Sequence, residues 1–483
     1  MHGESLKRSE KPSVVCADVD GTVIATDLLY ESLLFVLKQD IWILFFIPFW
    51  LLRGRAYLKH QLAERSAGLS IELLPMNGEV VSYLRAAAES GQRVMLASAS
   101  DARLVERLAD QFDFVSGVIA SDGSLNRKGS AKATAIREVI GDTSWEYIGD
   151  SKADFDVWRE AEHVVCVSAN PRFSARVKNR YPKAVILEKE PCTCKVFLRA
   201  LRVHQWMKNL LVFAPLVLAH QIFNVRGWLV AGAAALAFSL CASGVYLLND
   251  LLDLEADRRH PRKKKRPCAS GVFPLSYALM LAPLLFAAAF SVAFAVQPEF
   301  SVVLGIYLIL TSAYSYRLKA LALVDVILLA ILYTIRIVGG GVATGIHVSQ
   351  WLLGLSMFIF FSLACVKRFS ELLVLQQRKE HRTWGRGYAV SDMEQVASFG
   401  TASGYIAVLV LALYVSGKEV VALYASPTVI WMACPLLLYW ISRIWLLARR
   451  GFVHDDPLVF ALQDKVTYAV AAIGALIFLG AKW

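Results

Sequence analysis

Asn249-Asp250-Leu251-Leu252-Asp253-Leu254-Glu255-Ala256-Asp257 follows directly on an apolar run of membrane-spanning length. On a helix Asn249, Asp253 and Asp257 are four residues apart and Asp250 lies three before Asp253, so all four share one face. Like charges at that spacing destabilise a bare helix, and the repulsion grows at a membrane edge where water screens less. A hard divalent cation removes the conflict, because Mg²⁺ takes oxygen ligands and bridges carboxylates to a substrate's phosphates. The stretch reads as a metal–diphosphate site with Asn249, Asp250, Asp253 and Asp257 as ligands.

The composition around it sets the class. Of 483 residues 56% are hydrophobic and mean hydropathy is +0.48, too apolar for a wholly soluble protein. The surplus is uneven. Residues 1–195 are ordinarily mixed, whereas 205–483 repeat apolar runs of about 17–22 residues, enough to cross a bilayer core. Nine spans are expected, near 209–225, 227–248, 276–296, 300–315, 322–344, 349–366, 397–416, 428–447 and 465–481. Basic residues crowd alternate loops, 250–275, 316–319, 367–395 and 443–455, while 297–299, 345–349 and 417–427 hold almost none. With nine spans the positive-inside rule puts every basic loop, and the N-terminal part, in the cytoplasm. The net charge of +11 then reflects topology and anionic substrates, and no nucleic-acid partner is expected. The eight Cys offer neither metal spacing nor a disulfide framework, which suits a reducing compartment. The start (Lys7, Arg8, Lys11) lacks the apolar core of a signal peptide. A homo-oligomer is compatible with the sequence.

Residues 1–195 carry a second constellation. Val14–Val23 is a strand running into a glycine turn, with Asp18 and Asp20 at its carboxyl end, where open α/β sheets place ligands. Arg93–Ser98 is another strand, ending in a hydroxyl. Lys132 opens a helix, and Glu146–Asp154 is a third strand ending in Asp150 and Asp154. These DxDGT, Ser, Lys and GDxxxD signatures, in order over 13–185, resemble the haloacid dehalogenase superfamily. The resemblance implies a Rossmann-like α/β domain. In it Asp18 is the nucleophile and Asp20 the general acid/base, Ser98 and Lys132 hold the phosphoryl oxygens, and Asp150 and Asp154 complete a Mg²⁺ site with Asp18 and Asp20. The Asp two residues after the nucleophile resembles the phosphatase branch. Residues 27–80 are the expected helical cap. Within it 41–52 (IWILFFIPFWLL) is too short to span, so it is either the buried face of the cap or a segment dipping into the membrane surface.

In the membrane part, polar residues at span edges are functional candidates. These are Gln205, Lys208 and Asn209; Arg258, Lys263 and Arg266; Tyr316 and Lys319; Asp325 with Arg336 eleven residues on; and Lys367, Arg368 and Glu371, which continue the sixth span's helix. Arg336 is read either as a partner of Asp325 or as a phosphate ligand. The NDxxDxxxD signature resembles the UbiA superfamily of intramembrane transferases over 198–483. That implies an all-α bundle whose polar cavity binds Mg²⁺ and a diphosphate. The second acidic region of that family is reduced here to Asp325. QWxKN, NDxxDxxxDRxHP, YSxxLK and KRxxE are closer to the decaprenyl-phosphate phosphoribosyltransferase branch. The branch implies phosphoribosyl pyrophosphate as donor and a polyprenyl phosphate as acceptor, with these residues holding phosphate.

The expected whole is a 1–195 phosphatase joined to a 196–483 transferase of the inner cell membrane. Together they would make a polyprenyl-phosphoryl ribose for cell-envelope glycans. The alternatives are a prenyltransferase using a prenyl diphosphate and a small acceptor, and a lipid-binding anchor for a phosphatase.

Overall fold

The computed structural model describes residues 12–123, 125–379, 386–417, 424–453, 457–461 and 463–482. Lys7, Arg8 and Lys11, and parts of the loops 367–395, 417–427 and 443–455, lie outside these residues. The chain divides into two compact units, 1–201 with 246–281, and 202–245 with 282–483.

The first unit is built on a six-stranded sheet, β1 (Val14–Ala17), β2 (Arg93–Asp101), β3 (Val115–Ser121), β4 (Trp145–Gly149), β5 (His163–Ser168) and β6 (Val185–Glu188). The order is β3-β2-β1-β4-β5-β6 and every pairing is parallel. Parallel strands are covered on both faces and read as unbroken apolar runs. In β1, Val15 and Ala17 face one core, with Leu84 and Leu104. Val14 and Cys16 face the other, with Ile136 and Trp158. The cap is helical. It comprises α1 (Leu28–Gln39), a 3₁₀ turn at Ile41–Phe45, α2 (Ile47–Leu52) and α3 (Arg55–Arg65). The buried-face reading of 41–52 does not hold, since no residue of the turn or of α2 is buried. Then come α4 (Gly78–Glu89), α5 (Ala102–Ala109), α6 (Ser130–Ile140), α7 (Phe155–Trp158), α8 (Pro171–Arg180) and α9 (Cys194–Ala200).

The second unit is helical. After α10 (Ala214–Leu218) come α11 (Val225–Leu252), α12 (Leu254–Arg259), α13 (Leu275–Val296), α14 (Pro298–Tyr316), α15 (Val324–Thr344), α16 (Gln350–Gln377) and α17 (Met393–Val415). Of these, α12 and the ends of α11 and α13 that flank it belong to the first unit. Among the described residues seven segments are long and apolar enough to cross a membrane, Val225–Leu252, Leu275–Val296, Pro298–Tyr316, Val324–Thr344, Gln350–Gln377, Val390–Val415 and Pro427–Arg449, with a shorter apolar helix at Lys465–Ala481.

Nine long spans were expected. The first, near 209–225, is instead a 3₁₀ stretch at Val203–Phe213 followed by α10. Apolarity alone does not reveal the breaks: Arg202 and His220 take positive φ (52° and 56°), and Pro215 lacks an N–H to donate. This stretch packs backbone to backbone on α15. A Cβ on Gly340 would stand 2.0 Å from the Val212 carbonyl oxygen, the close approach that small residues permit between membrane helices.

Candidate active sites

The first site lies at the carboxyl ends of β1, β2 and β4. Asp18 follows β1 and is buried. Lys132 of α6 donates to its Oδ1 at 2.8 Å and to the Tyr147 hydroxyl at 2.9 Å. Tyr147 in turn donates to Asp154 at 3.0 Å. Asp154 Oδ2 accepts from the Asp150 and Ser151 amides and from the Ser151 hydroxyl, which locks the turn after β4. Asp20 Oδ2 accepts from Ser98 at 3.0 Å and Ser100 at 2.7 Å, and its Oδ1 accepts from the Leu28 amide at the start of α1. All six residues expected from the four signatures are brought together.

The carboxylates are tested as a cation site by their own electrostatics. Ligand atoms of Asp18, Asp150 and Asp154 all lie within 4.8 Å of one another, against about 4 Å between opposite ligands on Mg²⁺. Burial pushes the Asp18 carboxyl up to about 8, with Asp154 and Asp20 adding repulsion, against the pull of Lys132. Burial also raises Asp150, although Lys189 stands 2.8 Å away. Three hard oxygen donors brought this close, two of them raised chiefly by burial, fit a divalent cation.

Ser100, Tyr147 and Lys189 had no signal in the local spacing, and neither did Lys59 of the cap. Lys59 donates to the Ala99 carbonyl at 2.6 Å, and burial lowers it despite the nearby Asp20 and Asp27. Lys189, which also donates to the Gly21 carbonyl, was visible only as one more lysine after β6.

The acidic stretch forms the second site. Helix α11 ends at Leu252, and Asp253 (φ −96°, ψ 9°) bends the chain into α12. The amides of Asp253 and Asp257 still bond to the carbonyls four residues back, at 2.9 and 2.8 Å, so helical hydrogen bonding continues across the bend. Asp250 and Asp257 are both buried and converge on Arg266, at 3.3 and 2.6 Å. The pair is already arranged around a positive charge. Arg258 points elsewhere, donating two bonds to Glu31 of α1 and one to the Ala269 carbonyl. Lys263 is exposed in a 3₁₀ turn.

Within the second unit the remaining candidates form two groups. Asn209 donates to Ser239 and accepts from Arg336 Nε at 2.8 Å. Arg336 also donates to the Tyr307 hydroxyl at 3.0 Å and to the Leu332 carbonyl. Lys208 sits 5.6 Å over the Tyr333 ring, and Gln205 is half-buried. Arg336 is therefore not the partner of Asp325. That partner is Arg368, which also bonds Glu371 and the Tyr314 hydroxyl, while Tyr388 donates to Asp325 at 2.6 Å. Glu371 is shared with Arg386. Lys319 and Lys367 are half-buried, but Tyr316 is 85% exposed, so the inward tyrosine is Tyr314.

The sequence profile of the UbiA prenyltransferase family matches residues 210–479. The chain belongs to the UbiA prenyltransferase family. With its apolar helices it is an integral membrane protein. An uncharacterized protein of Sinorhizobium fredii, y4nM, is 34% identical over 97% of this UbiA-family chain and 91% of its own length, so the likeness runs through both compact units. The decaprenyl-phosphate phosphoribosyltransferase of Mycobacterium tuberculosis H37Rv is 37% identical over 58% of the chain and 94% of its own length. A solved UbiA homolog from Archaeoglobus fulgidus, bound to GPP and Mg²⁺, is 16% identical with a TM-score of 0.44, covering 59% of this chain and 99% of that one.

Proposed function

We propose that this UbiA-family chain transfers 5-phosphoribose from phosphoribosyl pyrophosphate to a polyprenyl phosphate, and that its α/β part, a haloacid dehalogenase-type phosphatase, then removes the 5-phosphate. In the first step an oxygen of the lipid phosphate bonds to C1 of ribose as the C1–O bond to pyrophosphate breaks. Because C1 develops oxocarbenium character, holding the departing pyrophosphate does most of the work and no protein nucleophile is needed. Asn249, Asp250, Asp253 and Asp257 would hold Mg²⁺ on that group, and Lys208, Arg266, Lys319 and Lys367 would neutralise the phosphates. In the second step an Asp18 oxygen attacks the 5-phosphate phosphorus, and the leaving alkoxide takes a proton from Asp20. Water then releases phosphate from Asp18. Ser98 and Lys132 would orient the phosphoryl oxygens. A Mg²⁺ ion on Asp18, Asp150 and Asp154 would supply the charge neutralisation that lets a carboxylate approach a phosphate dianion.

The observation that carries this reading is the partition of the chain. The acidic stretch 249–257 folds in the same compact unit as the phosphatase-like sheet, so product of one chemistry would arise beside the groups for the other. The relative named as a phosphoribosyltransferase supports the donor and acceptor. The cytoplasmic placement rests on the basic loops.

The test supplies purified protein with phosphoribosyl pyrophosphate, polyprenyl phosphate and Mg²⁺, and follows the lipid by mass spectrometry. Wild type should yield polyprenyl-phosphoryl ribose, and Asp18→Asn the 5-phosphorylated lipid. Transfer from a labelled prenyl diphosphate, with none from the ribosyl donor, would replace this reading by prenyl transfer.

A further inference from the structure

The cap carries a surface that neither proposed reaction uses. Ile41, Trp42, Phe45, Phe46, Phe49 and Leu52 are between 55% and 85% exposed. Single apolar residues on a surface are ordinary, but six within twelve positions form a contiguous patch that marks an interaction site. The local structure holds the patch in shape. Asp40 caps the 3₁₀ turn by accepting from the Trp42 amide at 2.9 Å, and Pro48 opens α2, where its missing N–H costs nothing. Gly54, at φ +110°, turns the chain into α3, and Arg65 of α3 stacks 4.9 Å from the Trp50 ring. The aromatic side chains are thus presented outward on a braced hairpin of short helices.

We infer that residues 41–52 insert into the lipid leaflet as an interfacial anchor for the cap. Three observations select lipid over a protein partner. Exposed Lys38, Arg53 and Arg55 flank the patch, matching the anionic headgroups that border an inserted apolar face. The same compact unit contains 246–252 and 275–281, the ends of two membrane-spanning helices, so a bilayer surface lies within the unit's own reach. Helix α1, which leads to the patch over about 18 Å, is tied near its start to the loop between those ends by the buried Arg258–Glu31 pair. Twelve residues with Pro48 among them are too few to span, but suffice to lie in the headgroup boundary, about 5–10 Å deep. Lys59, on the helix next after the patch, reaches the Ala99 carbonyl beside the first site, so the anchor would hold the cap where a phosphate borne on a lipid emerges from the leaflet.

The test uses the full chain with Cys192→Ser and Cys194→Ser, which removes the exposed thiols and leaves the buried ones. Phe45→Cys or Phe49→Cys then takes a nitroxide label in nanodiscs of phosphatidylcholine with a minority of phosphatidylglycerol. Power saturation compares collisions with oxygen, which concentrates in lipid, against a water-soluble nickel chelate. Oxygen should dominate at positions 45 and 49, and the ratio should invert at a Val139→Cys control, an exposed position of α6. Chelate dominance at both cap positions overturns the inference. Dipolar broadening that disappears on dilution with unlabelled protein also overturns it, because a second copy would then be the occupant. The measurement requires no turnover, so it succeeds or fails independently of the proposed reactions.

Discussion

Arg258 donates to both carboxylate oxygens of Glu31, at 2.6 and 3.0 Å, with side chains only 7% and 3% exposed. Residue 258 immediately follows the last aspartate of the acidic stretch, and residue 31 lies in the first turn of the cap helix whose Leu28 amide binds Asp20. Thr26 also donates to Glu31. A bidentate guanidinium–carboxylate pair out of water is specific in geometry and costly to break on one side.

Glu31→Ala therefore strands a buried guanidinium, and a loss of about 3–5 kcal/mol is expected. The double variant Glu31→Ala/Arg258→Leu should lose less than Glu31→Ala alone. Thermal unfolding in detergent reads both. Equal losses in the single and double variants would mean that the pair is not desolvated in solution.

Asp18→Asn should lower phosphomonoester hydrolysis by roughly three orders of magnitude or more while leaving ribosyl transfer to lipid intact. Asp250→Ala should do the opposite. Each variant would be assayed for both activities, and loss of both from either change would refute the separation of the two sites.

The Asp18 carboxyl, held up to about 8 by burial and its acidic neighbours, sets a pH dependence. An unfolded Asp releases its proton near pH 4. Between about 4 and 8 the folded state therefore binds the extra proton, and stability falls as pH rises through that window. Mg²⁺ favours the ionised carboxylate, so its stabilising effect should grow over the same window. Melting curves with and without Mg²⁺ at pH 5 and 8 would show it as a larger Tm increment at pH 8. An increment independent of pH would remove Asp18 from the ion's ligands.

Arg368→Lys should be poorly tolerated, because an ammonium cannot bond Asp325, Glu371 and Tyr314 in the one plane that the guanidinium occupies. A loss of about 2–4 kcal/mol is expected, since Asp325 is fully buried. Unchanged melting together with a raised KM for a phosphate substrate would instead make Arg368 a ligand-binding residue.

Contiguous signals are legible in the sequence and distant pairings are not. Asp18, Asp20, Asp150 and Asp154 were legible because a strand, its turn and its acids are contiguous, and the sheet needs no further information to align them. Lys189 reaches Asp150 from 39 residues away and Ser100 reaches Asp20 from 80, separations that no spacing rule encodes. Pairing Asp325 with Arg336 failed on geometry: eleven residues rise about 16 Å along a helix, beyond the reach of either side chain. Tyr314 rather than the expected Tyr316 faces inward, and two helical steps put the two on nearly opposite faces. Seven of the nine apolar runs became long helices, because hydropathy reports burial in lipid. It says nothing of the positive φ at Arg202 and His220 that breaks the first.

The inclusion of Tyr246–Leu281 with the sheet bears on any attempt to divide the molecule. A fragment ending near residue 195 would keep Asp18 and every strand, yet Glu31 would lose its counter-charge and Ala25 the backbone of Gly271 that abuts it. Severing the polypeptide near residue 195 would thus leave this unit incomplete, and whole-chain preparations are the material on which to test for hydrolysis.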